Sequence, residues 1–557
     1  MPTVAEVIAQ TLVAYDTKKF FCLMGGDHDF WIALHDAGIE IVNCRTEAGA
    51  TYMADGYARV SGKPGFVYGQ RGPGVANVAS ALPDALWACS PVISLTSSIN
   101  MAHRDRYEYQ ELDGIPMNAA VTKWNKPISH ASRAAAMLRA AIRVATGPAP
   151  GPVHLEIPAD MFRADAGKDP VYREESLGVV NARRIPPEPG VLRRVVERLL
   201  KAERPLLIAG KGVIISEAWD EFARLARILN IPAVTTLGGK GAIDEDDDLA
   251  VGVMGRSSRI VANKAVNDCD LVLAVGTRFG GLPTSNWALP FEQKTILQID
   301  SDPTVLGQNY RTEISVLADA KRALQAALDE VEGSKLQRGP TAWTTHIKGR
   351  IKQWRIDAAK LAQERPGDGI HPAEIIAQMR QVMGPDDIVG ADTGALGSWI
   401  GGLFPVRAGK SVVRADGSLG WSVPGAMGAK LAAPHRRVVA LTGDGGLLYH
   451  ISEFETALRY DIPVVIVVLN NRALASEYHS QRDRWQRVIP EVIDFRDVDF
   501  ASVARSFGAY GVRVEQGSQF TDALRGALAA NKPALIDVVT SKETAAPRAH
   551  YDAERVV

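Results

Sequence analysis

The chain has 557 residues, too many for one hydrophobic core and suited to about three or four domains. Its 63 basic and 64 acidic residues leave a net charge of −1, so no global field favours nucleic acid or an anionic membrane, and an anionic ligand must be met by local groups. No apolar run approaches a membrane span of about 18 residues, and the N-terminus carries charge where a signal peptide is apolar, so a cytoplasmic protein without nucleic-acid or membrane partners is expected. The four cysteines, Cys22, Cys44, Cys89 and Cys269, follow no metal-binding spacing and are expected as reduced, mostly buried thiols.

Strand-like runs alternate with helical ones from end to end, which predicts parallel sheets covered by helices. The first segment, 1–165, carries Gly25-Gly-Asp-His-Asp29, the helical stretch Arg45–Arg59, a Gly-rich loop Gln70-Arg-Gly-Pro-Gly-Val-Ala-Asn77 and the polar stretch Tyr107–Asp113. The proline-rich Arg163–Pro189 separates it from a middle domain, 190–333, with strands in Pro205–Gly210, Leu271–Gly276 and Thr295–Asp300. Gly210-Lys-Gly212 after the first of these reads equally as a structural turn and as a phosphate cradle. The charged stretch Gly333–Gly369 leads to His371-Pro372-Ala373, a helix start, in the last domain, 367–540. There, apolar runs ending at Thr442 and spanning Ile462–Leu469 predict two strands, with a helix from Tyr449 to Tyr460 between them. A polar tail, 541–557, has the composition of a lid over a site or of a frayed terminus.

The chain echoes itself. Laying Gly74 on Gly446 carries Ser80, Ala85, Leu86, Pro91 and Val92 onto Ser452, Ala457, Leu458, Pro463 and Val464. Both copies run Gly-rich loop, helix, proline, apolar strand, so the first and last domains read as one fold used twice.

The most specific chemistry lies in Gly443-Asp444-Gly445-Gly446 and the later pair Asn470-Asn471. Asp444 and Asn471 fall at two strand ends. A carboxylate and an amide oxygen are hard ligands suited to Mg2+, which shares its shell with water and phosphate. The glycines allow backbone N–H groups to approach phosphate oxygens. The pattern predicts a diphosphate clamped through a divalent metal.

On these residues the chain resembles the thiamine diphosphate (ThDP) enzymes of the pyruvate oxidase, acetolactate synthase and pyruvate decarboxylase superfamily, over nearly its whole length. The resemblance implies an α/β protein of three doubly wound parallel-sheet domains, the first and third being the pyrimidine-binding and diphosphate-binding copies of one fold. It implies Mg2+ held by Asp444, Asn471 and the carbonyl of Ala473, with Gly443, Gly445 and Gly446 around the diphosphate. Glu47, in Arg45-Thr-Glu-Ala-Gly-Ala, resembles the carboxyl group that activates the cofactor through its aminopyrimidine ring. The Gly417 carbonyl is implied to receive the pyrimidine amine, Leu419 to wedge the two rings into a V, and Pro73 and Gly74 to line the cofactor's far side. Gln110 and Tyr109 resemble substrate-facing residues, and Glu477 stands where some relatives carry a catalytic glutamate. His28 or its neighbour Asp27 is a candidate substrate contact, with local capping as the alternative. Arg278, Asp300 and Asp302 stand where relatives bind FAD, ADP or a CoA nucleotide in the central domain, and other relatives bind nothing there.

For the reaction, Glu477, Tyr109 and the tail favour a carbon–carbon lyase that cleaves a 2-hydroxyacyl-CoA to a carbonyl compound and formyl-CoA. The alternative is an acetolactate synthase-like 2-oxo acid decarboxylase or carboligase, supported by Gln110 and the central domain. A flavin-dependent oxidase ranks third. The resemblance also implies a homodimer or homotetramer whose sites lie between subunits, Glu47 and Asp444 of one site coming from different chains, with a small-molecule substrate, an acyl-CoA in the first reading.

Overall fold

A computed structural model describes residues 1–168, 170–256, 259–335 and 338–547. The apolar, β-branched runs form strands largely buried on both faces, as a parallel sheet covered by helices requires. They assemble into three sheets of six strands, every pairing parallel.

The first sheet contains β1 (Lys19–Cys22), β2 (Glu40–Asn43), β3 (Gly65–Gly69), β4 (Val92–Ser98), β5 (Trp124–Pro127) and β6 (Val153–Pro158), in the order β2-β1-β3-β4-β6-β5. The second contains β7 (Pro205–Ala209), β8 (Ala233–Thr235), β9 (Ala250–Val253), β10 (Leu271–Val275), β11 (Thr295–Asp300) and β12 (Ile314–Leu317), in the order β12-β11-β10-β7-β8-β9. The third contains β13 (Ile388–Ala391), β14 (Val412–Arg414), β15 (Val438–Gly443), β16 (Val465–Asn470), β17 (Tyr510–Val514) and β18 (Ala534–Val539), in the order β14-β13-β15-β16-β18-β17. The first and third sheets share one permutation, so the internal echo is a repeated fold. The second has the doubly wound order of dinucleotide-binding sheets.

Six helices position the site: α1 (Glu47–Ser61), α2 (Pro73–Ala88), α3 (Ser422–Ala432), α4 (Asp444–His450), α5 (Glu453–Arg459) and α6 (Ala475–Ser480). The helix expected over Tyr449–Tyr460 is instead the pair α4 and α5, and it starts at Asp444. Glycine is a poor helix former, but a Cβ at Gly446 would meet the Thr442 hydroxyl and the Asp392 carboxylate, so packing overrides propensity.

Helices α1 and α3 cross with their backbones in contact. A Cβ on Gly56 would collide with the carbonyl oxygen of Gly425, and one on Gly428 with that of Met53. The register that lays Gly74 on Gly446 also lays Gly56 on Gly428 and Met53 on Gly425. The two collisions are therefore one contact seen from either side of a pseudo-two-fold axis. Around it Phe21, Val67 and Leu82 from the first domain share a core with Trp421, Val438 and Phe454 from the third.

The central domain is fastened to the third through buried charge. Lys240 and Arg259 both pair with Glu245, at 2.6 and 2.7 Å. They also donate to the carbonyls of Gly401 and Gly402, at the C-terminal end of the helix Ala395–Leu403, where a cation is favoured. All four cysteines are free, three of them buried. No helix among the described residues is long and apolar enough to cross a membrane.

The α1/α3 crossing leaves no room for a side chain. Gly428→Leu is expected to lose about 1–3 kcal/mol through forced separation of the helices, read as a lower melting temperature by calorimetry; an unchanged melting temperature contradicts this packing.

Candidate functional site

Strand β15 ends at Gly443 and α4 begins at once, so Asp444 is buried at the C-terminal edge of the third sheet, beside the end of β16. Its carboxylate accepts from the N–H of Gly445 at 2.8 Å and from the N–H of Ala473 at 3.1 Å, and the Asn471 side-chain oxygen accepts from the same Ala473 N–H at 3.1 Å. Asp444, Asn471 and Ala473 thus converge. Burial pushes the Asp444 carboxyl up to about 6, against the pull of its backbone hydrogen bonds. Among the described residues no lysine or arginine pairs with it. A buried carboxylate lacking a counter-charge, beside an amide oxygen, fits a hard divalent cation that brings phosphate oxygens with it. Gly445 packs under Leu474 and Phe495, so a larger residue there would close this loop.

A second carboxylate, which the sequence reading missed, organises the same edge. Asp392 follows β13 and is buried. It accepts from the N–H groups of Thr393 (2.8 Å), Gly420 (3.0 Å) and Ser422 (3.3 Å) and from the hydroxyls of Ser422 (2.7 Å) and Thr442 (3.3 Å). It therefore ties the segment carrying Gly417 and Leu419 to the strand carrying Gly443. The signal available was an aspartate directly after an apolar run, in Ala391-Asp392-Thr393-Gly394. Gly417 is exposed, backed by the Trp87 ring, and its N–H donates to Asp84 at 3.1 Å; Leu419 is half-buried beside it.

At the first sheet, Thr46 caps α1 by accepting from the N–H of Gly49 at 2.9 Å, which sets Glu47 as the first helical residue. Glu47 is only 8% exposed and accepts from the Asn77 amide at 3.0 Å. Gly74 lies against its other oxygen, with Pro73 opening α2 beside it. Gln110, with φ +64°, backs onto Gly72 at the head of the same loop. Glu47 and Gln110 thus both lie against the one loop, Glu47 at Gly74 and Gln110 at Gly72. Tyr109 is 77% exposed and points away from the core. His28 is exposed at a helix start, whereas Asp27 accepts from the hydroxyls of Tyr68 and Ser97 and so has a structural duty. Among the described residues no hydrogen bond joins Glu47 to Asp444, Asn471 or Ala473, although its neighbour Thr46 meets His450 and Glu453 of the third domain.

Glu477 lies exposed in the first turn of α6, a short helix whose preceding Leu474 packs on Gly445. The tail holds this helix from behind. Tyr478 donates to Glu543, His479 Nε2 meets the Lys542 carbonyl at 2.8 Å, and Arg482 donates to the Glu543 carbonyl at 3.1 Å. Of the expected tail, residues 541–547 form this strap, and 548–557 lie outside the described residues.

In the central domain Arg278, Asp300 and Asp302 line one cavity of about 350 Å³ at the strand ends of the second sheet. Burial pushes Asp300 up to about 6. Arg278 rests against the Cys89 thiol of the first domain. The Gly210-Lys-Gly212 turn is not a phosphate cradle through its glycine amides: the N–H of Gly210 donates to Val275 and that of Gly212 to Gly276, while Lys211 reaches out to Asp416 at 2.6 Å.

Residues 2–117 match the N-terminal TPP binding domain of thiamine pyrophosphate enzymes, 192–327 the central domain, and 392–538 the C-terminal TPP binding domain. The chain is 32% identical to a probable acetolactate synthase large subunit of Methanocaldococcus jannaschii, covering 98% of this chain and 93% of that one. It is 29% identical to a sulfoacetaldehyde acetyltransferase of Castellaniella defragrans (98% and 94% covered) and 28% identical to the acetolactate synthase isozyme 3 large subunit of Escherichia coli (94% and 92% covered). With two thiamine pyrophosphate-binding domains on either side of a central domain, and full-length similarity to such enzymes, the chain belongs to the thiamine pyrophosphate-dependent enzyme family.

Proposed function

We propose that the chain is a ThDP- and Mg2+-dependent carboligase that takes a 2-oxo acid as donor, in the manner of an acetolactate synthase. The observation that carries this reading is the full-length similarity to acetolactate synthase large subunits, joined to an Asp444–Asn471–Ala473 cluster suited to a hard cation. The relatives' names support it better than the 2-hydroxyacyl-CoA lyase reading, and nothing in them supports formyl-CoA chemistry.

Bound ThDP supplies a carbon nucleophile for the donor carbonyl and an electron sink for loss of CO2. Asp444, Asn471 and the Ala473 carbonyl hold the metal, and Gly443, Gly445 and Gly446 leave room for the diphosphate. The Gly417 carbonyl receives the aminopyrimidine amine and Leu419 separates the two rings. Glu47, oriented by the Asn77 amide with Gly74 against its other oxygen, would hold a proton at the aminopyrimidine ring nitrogen. Gln110, Tyr109 and His28 face the substrate. Glu477, exposed and without an ion pair among the described residues, moves a proton at the product oxygen. Each site takes Glu47 from one subunit and Asp444 from another, in the arrangement the family resemblance implies, which makes a dimer the smallest active unit. The central cavity takes a nucleotide, with Arg278 on its phosphates and Asp300 on a ribose hydroxyl.

Purified protein supplied with ThDP, Mg2+ and pyruvate is expected to form acetolactate, followed by colorimetric assay; sulfoacetaldehyde, the compound in the name of the Castellaniella relative, is the second substrate to try, and turnover of neither refutes the reading. Glu47→Gln is expected to abolish turnover with ThDP still bound, while Asp444→Ala weakens Mg2+ and ThDP together by calorimetry; unchanged affinity in Asp444→Ala contradicts the metal role. Flavin absorbance in the purified protein, or calorimetric binding of ADP or CoA, is expected from the central cavity, and binding of none of the three removes the nucleotide assignment.

A further inference from the structure

Two buried carboxylates that the mechanism does not use sit symmetrically about the α1/α3 crossing. Asp84, in α2 of the first domain, is wholly buried and accepts from the N–H groups of Asp416 (2.9 Å), Gly417 (3.1 Å) and Ser418 (2.9 Å) in the third domain. Glu453, opening α5 of the third domain, is wholly buried and accepts from the N–H groups of Arg45 (3.1 Å) and Thr46 (3.2 Å) in the first. The register that lays Gly74 on Gly446 lays Arg45 and Thr46 on Gly417 and Ser418. It lays Asp84 on Thr456, one helical turn from Glu453 and on the same face. Each domain therefore grips, with one carboxylate, the same stretch of backbone in its counterpart.

The two grips end on the two residues that matter to the cofactor. Thr46 immediately precedes Glu47, and the Asp84 contacts span Gly417, two residues before Leu419. We infer that Asp84 and Glu453 are reciprocal positioning residues, Asp84 fixing the segment that receives the bent cofactor and Glu453 fixing the approach of Glu47. This deepens the functional reading given above and rests on its roles for Glu47 and Gly417.

The physical case is that the two carboxylates are wholly buried and hold these N–H groups as their partners, and a buried carboxylate stripped of donors is costly. Gly49 marks the fit: any Cβ there would collide with the Glu453 carboxylate. Thr456 steadies Glu453 by donating to it at 2.7 Å. Asp84 is balanced by Arg59 at 2.8 Å, within a buried cluster where Arg59 also meets Asp55 (2.5 Å) and Asp416 (3.0 Å), and Asp416 meets Lys211 (2.6 Å) and Arg414 (2.6 Å). The Asp84 grip thus belongs to a charge network reaching the central domain, whereas the Glu453 grip is made of hydrogen bonds from neutral groups. The two are separable by mutation.

The test uses full-length Glu453→Gln and Asp84→Asn proteins loaded with ThDP and Mg2+, with Glu47→Gln in parallel. Amide hydrogen exchange by mass spectrometry is expected to rise around Arg45–Glu47 only in Glu453→Gln and around Asp416–Leu419 only in Asp84→Asn. Glu453→Gln should keep its ThDP affinity but lose about tenfold in the rate of cofactor C2–H exchange by NMR, and Asp84→Asn should lose about tenfold in ThDP affinity, the low end of the cost of removing a supporting hydrogen bond around an ordered ligand. Equal losses of affinity and exchange rate in both variants, or local loosening with neither parameter moved, overturn the inference. If Glu47→Gln retains C2–H exchange, the proton role of Glu47 fails instead, and the amide exchange pattern and ThDP affinities still decide the grips. Should Glu453→Gln not fold, Thr456→Val keeps the carboxylate but frees it, and the same loss of exchange rate at unchanged affinity is expected in smaller measure; its absence overturns the Glu453 assignment.

Discussion

Everything at the candidate site depends on two helices that touch backbone to backbone. The crossing of Glu47–Ser61 with Ser422–Ala432 is close because Gly56, Gly425 and Gly428 carry no side chain there. Closeness of this kind fixes distance and angle more tightly than interdigitated side chains do, since backbone has no rotamers to adjust. The N-terminal ends of both helices lead directly into the functional segments, Glu47 on one and Gly417 to Leu419 on the other. A shift of either helix would move both. The same crossing gives the chain its pseudo-two-fold symmetry.

Charge is handled differently at the edge of the symmetric core and at the metal end. Asp84 and Asp416, between the domains, are paired with guanidinium or ammonium groups, whereas Asp392 within the third domain and Glu453 between the domains are filled with N–H and O–H donors. Asp444 differs from Asp392 and Glu453 in receiving no hydroxyl donor among the described residues. Its carboxyl, pushed up to about 6 by burial, has backbone donors but no cationic side chain. A site that spends desolvation without a counter-ion is poised to take one from outside. A carboxylate so placed, beside the Asn471 oxygen, suits a metal.

Much of this was legible in the sequence. The strands around Asp444 and Asn471 announced themselves as β-branched apolar runs, and the repeat from Gly74 to Val92 against Gly446 to Val464 foretold two copies of one fold. Glu47 was singled out through its segment, and the structure sets Gly74 against its carboxylate while Gln110 meets the same loop at Gly72. What stayed hidden acts across the chain. Asp84 and Glu453 hold backbone hundreds of residues away, and no local pattern distinguishes them from ordinary helical acids. Lys211 looked like part of a phosphate turn because its partner, Asp416, lies in another domain. The early start of the helix at Asp444 was likewise set by packing on Gly446 rather than by the propensity of its glycines.

The central claim is that one chain serves two sites, giving Glu47 to one and Asp444 to the other. Subunit complementation tests it most directly. Glu47→Gln and Asp444→Ala chains, each inactive alone, would be co-expressed in equal amounts and the unfractionated mixture assayed with pyruvate. If sites form between chains, half the assemblies carry one site free of both substitutions, and the mixture recovers roughly a quarter of the wild-type rate. If Glu47 and Asp444 of the same chain meet in one site, every site carries a substitution and the mixture stays inactive, which would contradict the account.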